Sequence, residues 1–137
     1  MKNSLLAISL LISALLSYSC SDDDNAQELV SKWKLTEQLA DPGDGSGEFE
    51  PVSIDRTLSF YADGTVTSDG DLCVLFLTNE NSSSGTYTSE HILPANCVSS
   101  DYRIVYEIEN DELLLYFPCF EPCVQKYRRI PSTLIAL

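Results

Sequence analysis

Residues 102–117 read YRIVYEIENDELLLYF, and this stretch decides the fold class of the chain. Large apolar side chains stand at every second position in both of its halves, which is the period of a β-strand. Between the halves lies the polar pair Asn110-Asp111, residue types that favour tight turns. The stretch therefore predicts a β-hairpin, with strands over 102–109 and 112–117.

The same two-residue period recurs along most of the chain. Asp63-Gly64 follows one such run and favours a second tight hairpin. The predicted strands are 32–39, 55–61, 64–69, 72–78, 84–88, 91–93, 102–109 and 112–117, with 123–130 as a further candidate. Residues 64–78 are alternatively one long strand bent at Gly70, which gives eight strands in all.

About eight short antiparallel strands in up-and-down order predict an all-β fold, a single closed β-barrel. A closed barrel removes the unpaired edges of a sheet, and its interior can hold one small ligand. A β-sandwich is the competing fold, but no central Cys–Trp–Cys pattern supports it.

The first twenty residues, MKNSLLAISLLISALLSYSC, have the pattern of an export signal. Lys2 precedes an apolar run from Leu5 to Leu16, which is shorter than the 20 or so residues needed to span a bilayer. A charged start, a short apolar run and then small residues are typical of a secretory signal. We therefore expect residues 1–19 to be a signal peptide that is removed from the mature chain.

The end of this signal, residues 16–20 (LSYSC), resembles a bacterial lipobox, in which the cysteine is diacylated and becomes the mature N-terminus. The resemblance implies lipidation of Cys20 and a membrane as partner through the attached lipid; a plain secretory signal with a chance cysteine is the alternative. Residues 21–24 (SDDD) resemble the acidic signal that sends lipoproteins of one Gram-negative phylum to the outer face of the outer membrane, although a charge run is also typical of a solvated tether. Residues 20–27 would then be an acylated, acidic tether, and 28–137 a single barrel domain.

The formal net charge of −13 makes nucleic acid and anionic lipid surfaces poor partners. Apart from Cys20 the chain has four cysteines, which are Cys73, Cys97, Cys119 and Cys123. An even number of cysteines in an exported domain predicts a disulfide framework, for which four cysteines allow three connectivities.

Residues 28–130 resemble the lipocalin-like domain of small bacterial lipoproteins. The resemblance is carried by VSKWKLTE (30–37), DPGDGSGEFEPV (41–52), LSFYADGTVTSDGDLC (58–73), SGTYT (84–88), YEIENDELLLYFPCFEPC (106–123) and KYRRI (126–130). It implies that Trp33 closes the floor of the barrel under an arginine of the last strand, Arg128 or Arg129. Stacking of a guanidinium on an indole ring is physically favourable.

In such a barrel, with the Trp33 end as the floor, an up-and-down strand order places all four cysteines at the opposite end, the rim. Cys119 and Cys123 flank a turn bounded by prolines and are expected to bridge each other, which pairs Cys73 with Cys97. The alternatives join Cys73 to Cys119 or Cys123, and Cys97 to the other. A redox pair favours the spacing Cys-x-x-Cys, whereas Cys119 and Cys123 have the spacing Cys-x-x-x-Cys. An oxidising compartment argues against a zinc site formed by the four cysteines.

Side chains expected to face the interior form the candidate ligand site, namely Leu35, Glu37, Leu58, Phe60, Tyr106, Leu115 and Phe117. Glu37 is the polar member, since alternation puts it on the same face as Trp33 and Leu35. A carboxylate in the interior would anchor a ligand or pair with a buried Arg or Tyr. A slip of register near the rim would turn Glu37 outward instead.

Two functions fit these expectations. The first is a membrane-anchored lipocalin-like lipoprotein that binds a small apolar molecule in the barrel. The second is a barrel with a packed core that binds a protein or a glycan at the cell surface through its disulfide-pinned rim loops. An enzyme is not expected, because the only histidine, His91, has no convergent acid and nucleophile. No cofactor or metal is expected either.

Overall fold

The structure, a computed structural model, describes residues 28–75, 77 and 81–131. The predicted signal peptide (1–19), Cys20 with the predicted tether (20–27), and the end of the predicted domain (132–137) lie outside the described residues. Within the described ranges, no helix is long and apolar enough to cross a membrane.

The described part of the chain contains nine β-strands, all antiparallel to their neighbours. They are β1 (Lys32–Ala40), β2 (Glu50–Pro51), β3 (Thr57–Phe60), β4 (Thr65–Ser68), β5 (Ser83–Tyr87), β6 (His91–Pro94), β7 (Ile104–Glu109), β8 (Glu112–Tyr116) and β9 (Cys123–Arg129). Strands β3 to β9 pair in chain order, and β1 pairs with both β3 and β9. Eight strands therefore close into an up-and-down barrel, which confirms the predicted fold class, and the short β2 lies against the second half of β1.

The two hairpin turns predicted from the sequence are formed. Gly64 has a φ of 84°, and its N–H donates to the carbonyl of Tyr61 at 3.1 Å, between β3 and β4. Between β7 and β8, Asn110 and Asp111 have φ values of 51° and 63°. Two successive left-handed residues match the right-handed twist of the flanking strands, which explains why this short turn joins them.

The predicted strand over 72–78 is wrong, and so is the alternative of one bent strand over 64–78. Strand β4 ends at Ser68, and the described residues 71–75 and 77 form turns and bends. The cause is local, because the Asp71 carboxylate accepts the N–H of Cys73 at 2.8 Å and bends the backbone. The N–H of Leu72 donates a hydrogen bond to the Ser83 hydroxyl, and the Leu72 side chain is buried.

The strand registers define two ends of the barrel. Segments 61–64, 88–90 and 110–111 connect strands at the end where Trp33 lies, which we call the floor. Among the described residues, segments 41–56, 69–75, 81–82, 95–103 and 117–122 lie at the other end, which we call the rim. The described residues 28–31 precede β1 and so lie at the floor.

Candidate functional site

The floor is closed by Trp33, which is fully buried on β1. Its indole N–H donates to the carbonyl of Leu29 at 3.0 Å, and the guanidinium of Arg129 lies 4.4 Å from its ring centre. Of the two arginines proposed for this role, Arg129 therefore occupies it. Arg128 points to the outer face, because neighbouring strand residues alternate, and it pairs with Glu112 at 3.0 Å.

Arg129 links three parts of the floor. Its Nε lies 3.1 Å from the Asp111 carboxylate, and its Nη1 donates to the carbonyl of Glu28 at 2.8 Å. His91 begins β6 at the floor, beside Thr88.

The apolar residues of the candidate ligand site lie inside the barrel and fill it. They belong to one packed cluster, and their exposed fractions are 2% for Leu35, 0% for Leu58, 3% for Phe60, 6% for Tyr106, 0% for Leu115 and 7% for Phe117. A side chain that lines an empty cavity exposes area to a water-sized sphere inside it. Values this close to zero mean that these side chains contact one another, as in the core of an ordinary domain.

The interior also holds polar side chains that the sequence analysis missed. Gln125 is fully buried; its amide donates to the carbonyl of Leu75 at 3.2 Å, and its Oε1 accepts the Tyr127 hydroxyl at 2.7 Å. The sequence contained a signal for these inward polar residues, because Gln125, Tyr127 and Arg129 stand at every second position of β9. In the described part of the chain, no buried side-chain nitrogen or oxygen lacks a hydrogen-bond partner. The interior therefore presents no unsatisfied polar group for a ligand.

Glu37 faces away from the interior. A β-bulge lies between Leu35, which pairs with Tyr127, and Glu37, which pairs with Lys126. Thr36 is the extra residue, and its hydroxyl donates to the carbonyl of Lys126 at 3.1 Å. The bulge reverses the alternation of β1, so Glu37 lies beside Lys126 on the outer face in a 2.8 Å ion pair.

The disulfides at the rim are Cys73–Cys97, with a Cα–Cα distance of 5.3 Å, and Cys119–Cys123, with 6.0 Å. The favoured pairing is therefore confirmed. The first bond joins two rim segments that are far apart in sequence. The second closes a short loop that begins where Phe117 leaves the core.

In each disulfide, one cysteine is followed directly by an apolar residue that the sequence analysis did not single out. Phe120 comes directly after Cys119 and Val98 directly after Cys97. Both side chains are fully exposed, at 108% and 110% of the reference area. The five-residue sequence CFEPC was the available signal, because a loop this short has no room to bury its phenylalanine.

The acidic rim segment 41–47 is organised by its own backbone. The Asp41 carboxylate accepts the N–H groups of Gly43, Gly45 and Gly47 at 2.7, 3.1 and 2.8 Å. These bonds, led by that of Gly47, hold the pKa of Asp41 below its ordinary value. Both carboxylate oxygens therefore accept hydrogen bonds from the backbone of this segment itself. Among the described residues, no three His, Cys, Asp or Glu side chains are placed to hold a metal ion.

The fold and the rim together define a closed, eight-stranded antiparallel barrel with a filled interior and two disulfides at one end. Comparison of the chain with protein-family models, with curated proteins and with solved structures finds no match.

Proposed function

We propose that this protein is a lipid-anchored lipoprotein whose filled barrel presents its rim to a protein partner outside the cytoplasm. The observation that carries the proposal is the full exposure of Phe120 and Val98, each beside a disulfide at the same end of the barrel. Binding of a small apolar molecule in the barrel is less well supported, because the side chains expected to line the cavity are packed against one another.

The short disulfide loop makes Phe120 a suitable anchor for an interface. Burying a phenylalanine side chain contributes roughly 1.5–3 kcal/mol, and aromatic residues are enriched among the side chains that dominate interface energies. The Cys119–Cys123 bond restricts the loop before binding, so little further conformational entropy is lost when the partner docks.

The charge of the rim indicates what kind of partner fits. The described rim segments contain nine carboxylates and two arginines, one of which, Arg56, is buried. The carboxylates are Asp41, Asp44, Glu48, Glu50, Asp55, Asp69, Asp71, Asp101 and Glu121. A protein with a basic surface around an apolar pocket is complementary to this end, whereas an anionic membrane surface is repelled.

The position of the N-terminal segment supports this arrangement. Leu29 is buried beside Trp33 at the floor, so the described chain begins at the end opposite to Phe120. With Cys20 acylated, residues 20–27 would span at most about 28 Å and attach the floor side to the membrane. The rim then points away from the membrane. The acidic run at 21–24 supports placement on the outer face of the outer membrane.

The anchor is tested by growing cells with an alkyne-tagged fatty acid. The full chain should become labelled and fractionate with the outer membrane, and protease added to intact cells should digest it. The variant Cys20→Ser should lose both the label and the membrane association. Labelling that survives in Cys20→Ser would refute acylation at this residue.

Docking through the rim is tested with a photo-crosslinking amino acid at position 120 of the full chain in cells. Position 105 is the matched control, because Val105 is an apolar residue on the outer face of β7 and is 52% exposed. We expect a discrete crosslinked protein from position 120 only, with a basic surface and a yield that falls as salt increases. Equal crosslinking from both positions, or none from 120, would contradict docking through the rim.

A further inference from the structure

A groove of about 1050 Å³ lies outside the barrel, along β1, β3, β4 and β5 and under the rim segment 95–99. Its base follows the strand register, in which Lys32 pairs with Ser59, Ser59 with Thr67, and Thr67 with Ser84. These side chains share the outer face, because their strand neighbours Leu58, Phe60 and Val66 are buried inside.

The base of the groove is a row of hydroxyls. Adjacent strands lie about 4.8 Å apart, so Ser59, Thr67 and Ser84 present hydroxyls at regular intervals across three strands. Within the described residues, the hydroxyls of Ser59 and Ser84 have no hydrogen-bond partner, and that of Thr67 has only a 3.4 Å contact with the hydroxyl of Tyr61. Each hydroxyl can both donate and accept, so the row matches a ligand that carries many hydroxyls of its own.

An aromatic ring lies beside the row. Tyr61 is 47% exposed, and its hydroxyl contact with Thr67 places it on the same outer face. An exposed ring provides an apolar face against which the C–H side of a sugar ring packs. Hydroxyls next to an aromatic face are the chemistry that recognises a sugar, which has both polar edges and an apolar face.

The walls of the groove are fixed, and its charge selects against anions. The N–H of Ala95 donates to the carbonyl of Ser84 at 2.8 Å, and the Cys73–Cys97 bond holds the overhanging segment. The charged lining consists of Asp69, Asp71 and Lys32. The Asp69 carboxylate accepts the N–H and hydroxyl of Thr57 at 2.6 and 2.8 Å, so its position at the groove edge is fixed.

We infer that this groove binds a neutral oligosaccharide, with its hydroxyls on Ser59, Thr67 and Ser84 and one sugar ring against Tyr61. The site is separate from Phe120 but shares Val98 with the proposed docking surface. Carbohydrates that carry carboxylates or sulfates are excluded, because two aspartates face a single lysine there.

The test is a titration of the isotope-labelled full chain, in a detergent without a sugar headgroup, followed by amide chemical shifts. The probes are cellohexaose, maltohexaose and chitohexaose, with a hexamer of galacturonic acid as the anionic comparison. At least one neutral hexamer should shift the amides of Ser59, Thr67 and Ser84 with saturation. The galacturonate hexamer should leave them unchanged.

Thr67→Val keeps the shape and β-branching of the side chain but removes its hydroxyl, so the Kd should rise by about tenfold. The matched control is Thr86→Val, an exposed threonine on β5 that does not line the groove; the Kd should not change. Phe120→Ser should also leave sugar binding intact, which separates this site from Phe120. Absence of saturable shifts with all three neutral hexamers, or unchanged affinity in Thr67→Val, would overturn the inference.

Discussion

Arg129 is the residue on which closure of the barrel floor depends. It stacks on Trp33 and binds the Asp111 carboxylate and the Glu28 carbonyl, so one side chain joins β1, the β7–β8 turn and the segment before β1. The planar guanidinium makes these contacts together, which a single ammonium group cannot do. The neighbouring Arg128 is exposed and, among the described residues, pairs only with Glu112 at the surface.

We predict that Arg129→Lys lowers the free energy of unfolding by about 1–2 kcal/mol, through weaker stacking and the loss of hydrogen bonds. Arg128→Lys is the matched control on the same strand and should change it by less than about 0.5 kcal/mol, because exposed ion pairs contribute little. Urea unfolding followed by the fluorescence of Trp33, the single tryptophan, measures both. Equal effects of the two substitutions would contradict the role given to Arg129.

Prediction from sequence succeeded for residues whose position follows from alternation alone. The inward positions of Leu58 and Phe60 are of this kind, since β3 contains no irregularity, and so is that of Trp33, which precedes the bulge in β1. Glu37 shows the limit, because the inserted Thr36 reverses the face of every later residue in β1. Nothing in the tripeptide Leu-Thr-Glu marks a bulge; its partner on β9 determines it.

At the scale of elements, the turn between β7 and β8 is under conformational constraint. Asn110 and Asp111 both adopt left-handed backbone angles, which side chains with a β-carbon disfavour, although Asn and Asp tolerate them best. Asn110→Ala should therefore cost about 1 kcal/mol of stability. Asn110→Gly removes the same side chain without the steric penalty and should stay within about 0.5 kcal/mol of the wild type.

Urea unfolding of both turn variants checks this prediction. The comparison isolates backbone conformation, because alanine and glycine both lack the asparagine amide. If Asn110→Ala were as stable as Asn110→Gly, the left-handed turn would not be the constraint that sets the register of this hairpin.

The two turns were predictable because their residue types have a conformational reason to be there. The segment 72–78 was not, because its apolar run CVLFLT resembles a strand while the Asp71 carboxylate and the Cys73–Cys97 bond favour a compact loop. Strand β2 was missed for the opposite reason. Its two residues, Glu50 and Pro51, carry no strand signal and pair only because β1 is beside them.

At the scale of the whole molecule, three tyrosines with raised pKa values make the free energy of unfolding depend on pH in the alkaline range. Burial raises the pKa of Tyr106 to about 12. Partial burial, and to a smaller extent the hydrogen bond to the Glu107 carboxylate, raises the pKa of Tyr116 to about 12. Burial likewise raises the pKa of Tyr127, whose hydroxyl donates to Gln125. The unfolded chain loses these protons near pH 10, before the folded protein does.

Stability should therefore be nearly constant from about pH 8 to pH 9 and should fall as the pH rises from 10 towards 12. For the fully buried Tyr127 the slope approaches about 1.4 kcal/mol per pH unit. Urea unfolding across this pH range measures the fall, and Tyr127→Phe should show a shallower slope at a lower overall stability. A stability that rises above pH 10, or a slope unchanged by Tyr127→Phe, would contradict this assignment.

Fold class and disulfide pairing followed from the sequence because both depend on patterns spread along the chain. The filling of the interior could not be predicted in this way. It depends on how Leu58, Leu115 and Tyr127 fit together across the barrel. It also depends on the bulge, which brings Gln38 opposite the buried Gln125. The same residues in a wider barrel would line a cavity. The choice between the two functions therefore rests on the volume left inside the barrel, which the alternation of residues along the strands does not indicate.

Native mass spectrometry of the full chain, purified in detergent from the cells that produce it, tests the central claim most directly. A filled barrel predicts that removing the detergent leaves the chain with two disulfides, with the lipid of the proposed acylation if it is attached, and no further mass. A small apolar molecule that stays bound after the detergent has gone, and leaves only on stronger activation, would contradict the claim. If Phe120→Ser and Thr67→Val both retained the same molecule, it would bind neither at Phe120 nor in the groove and would lie inside the barrel, and the proposed role of the rim would lose its main support.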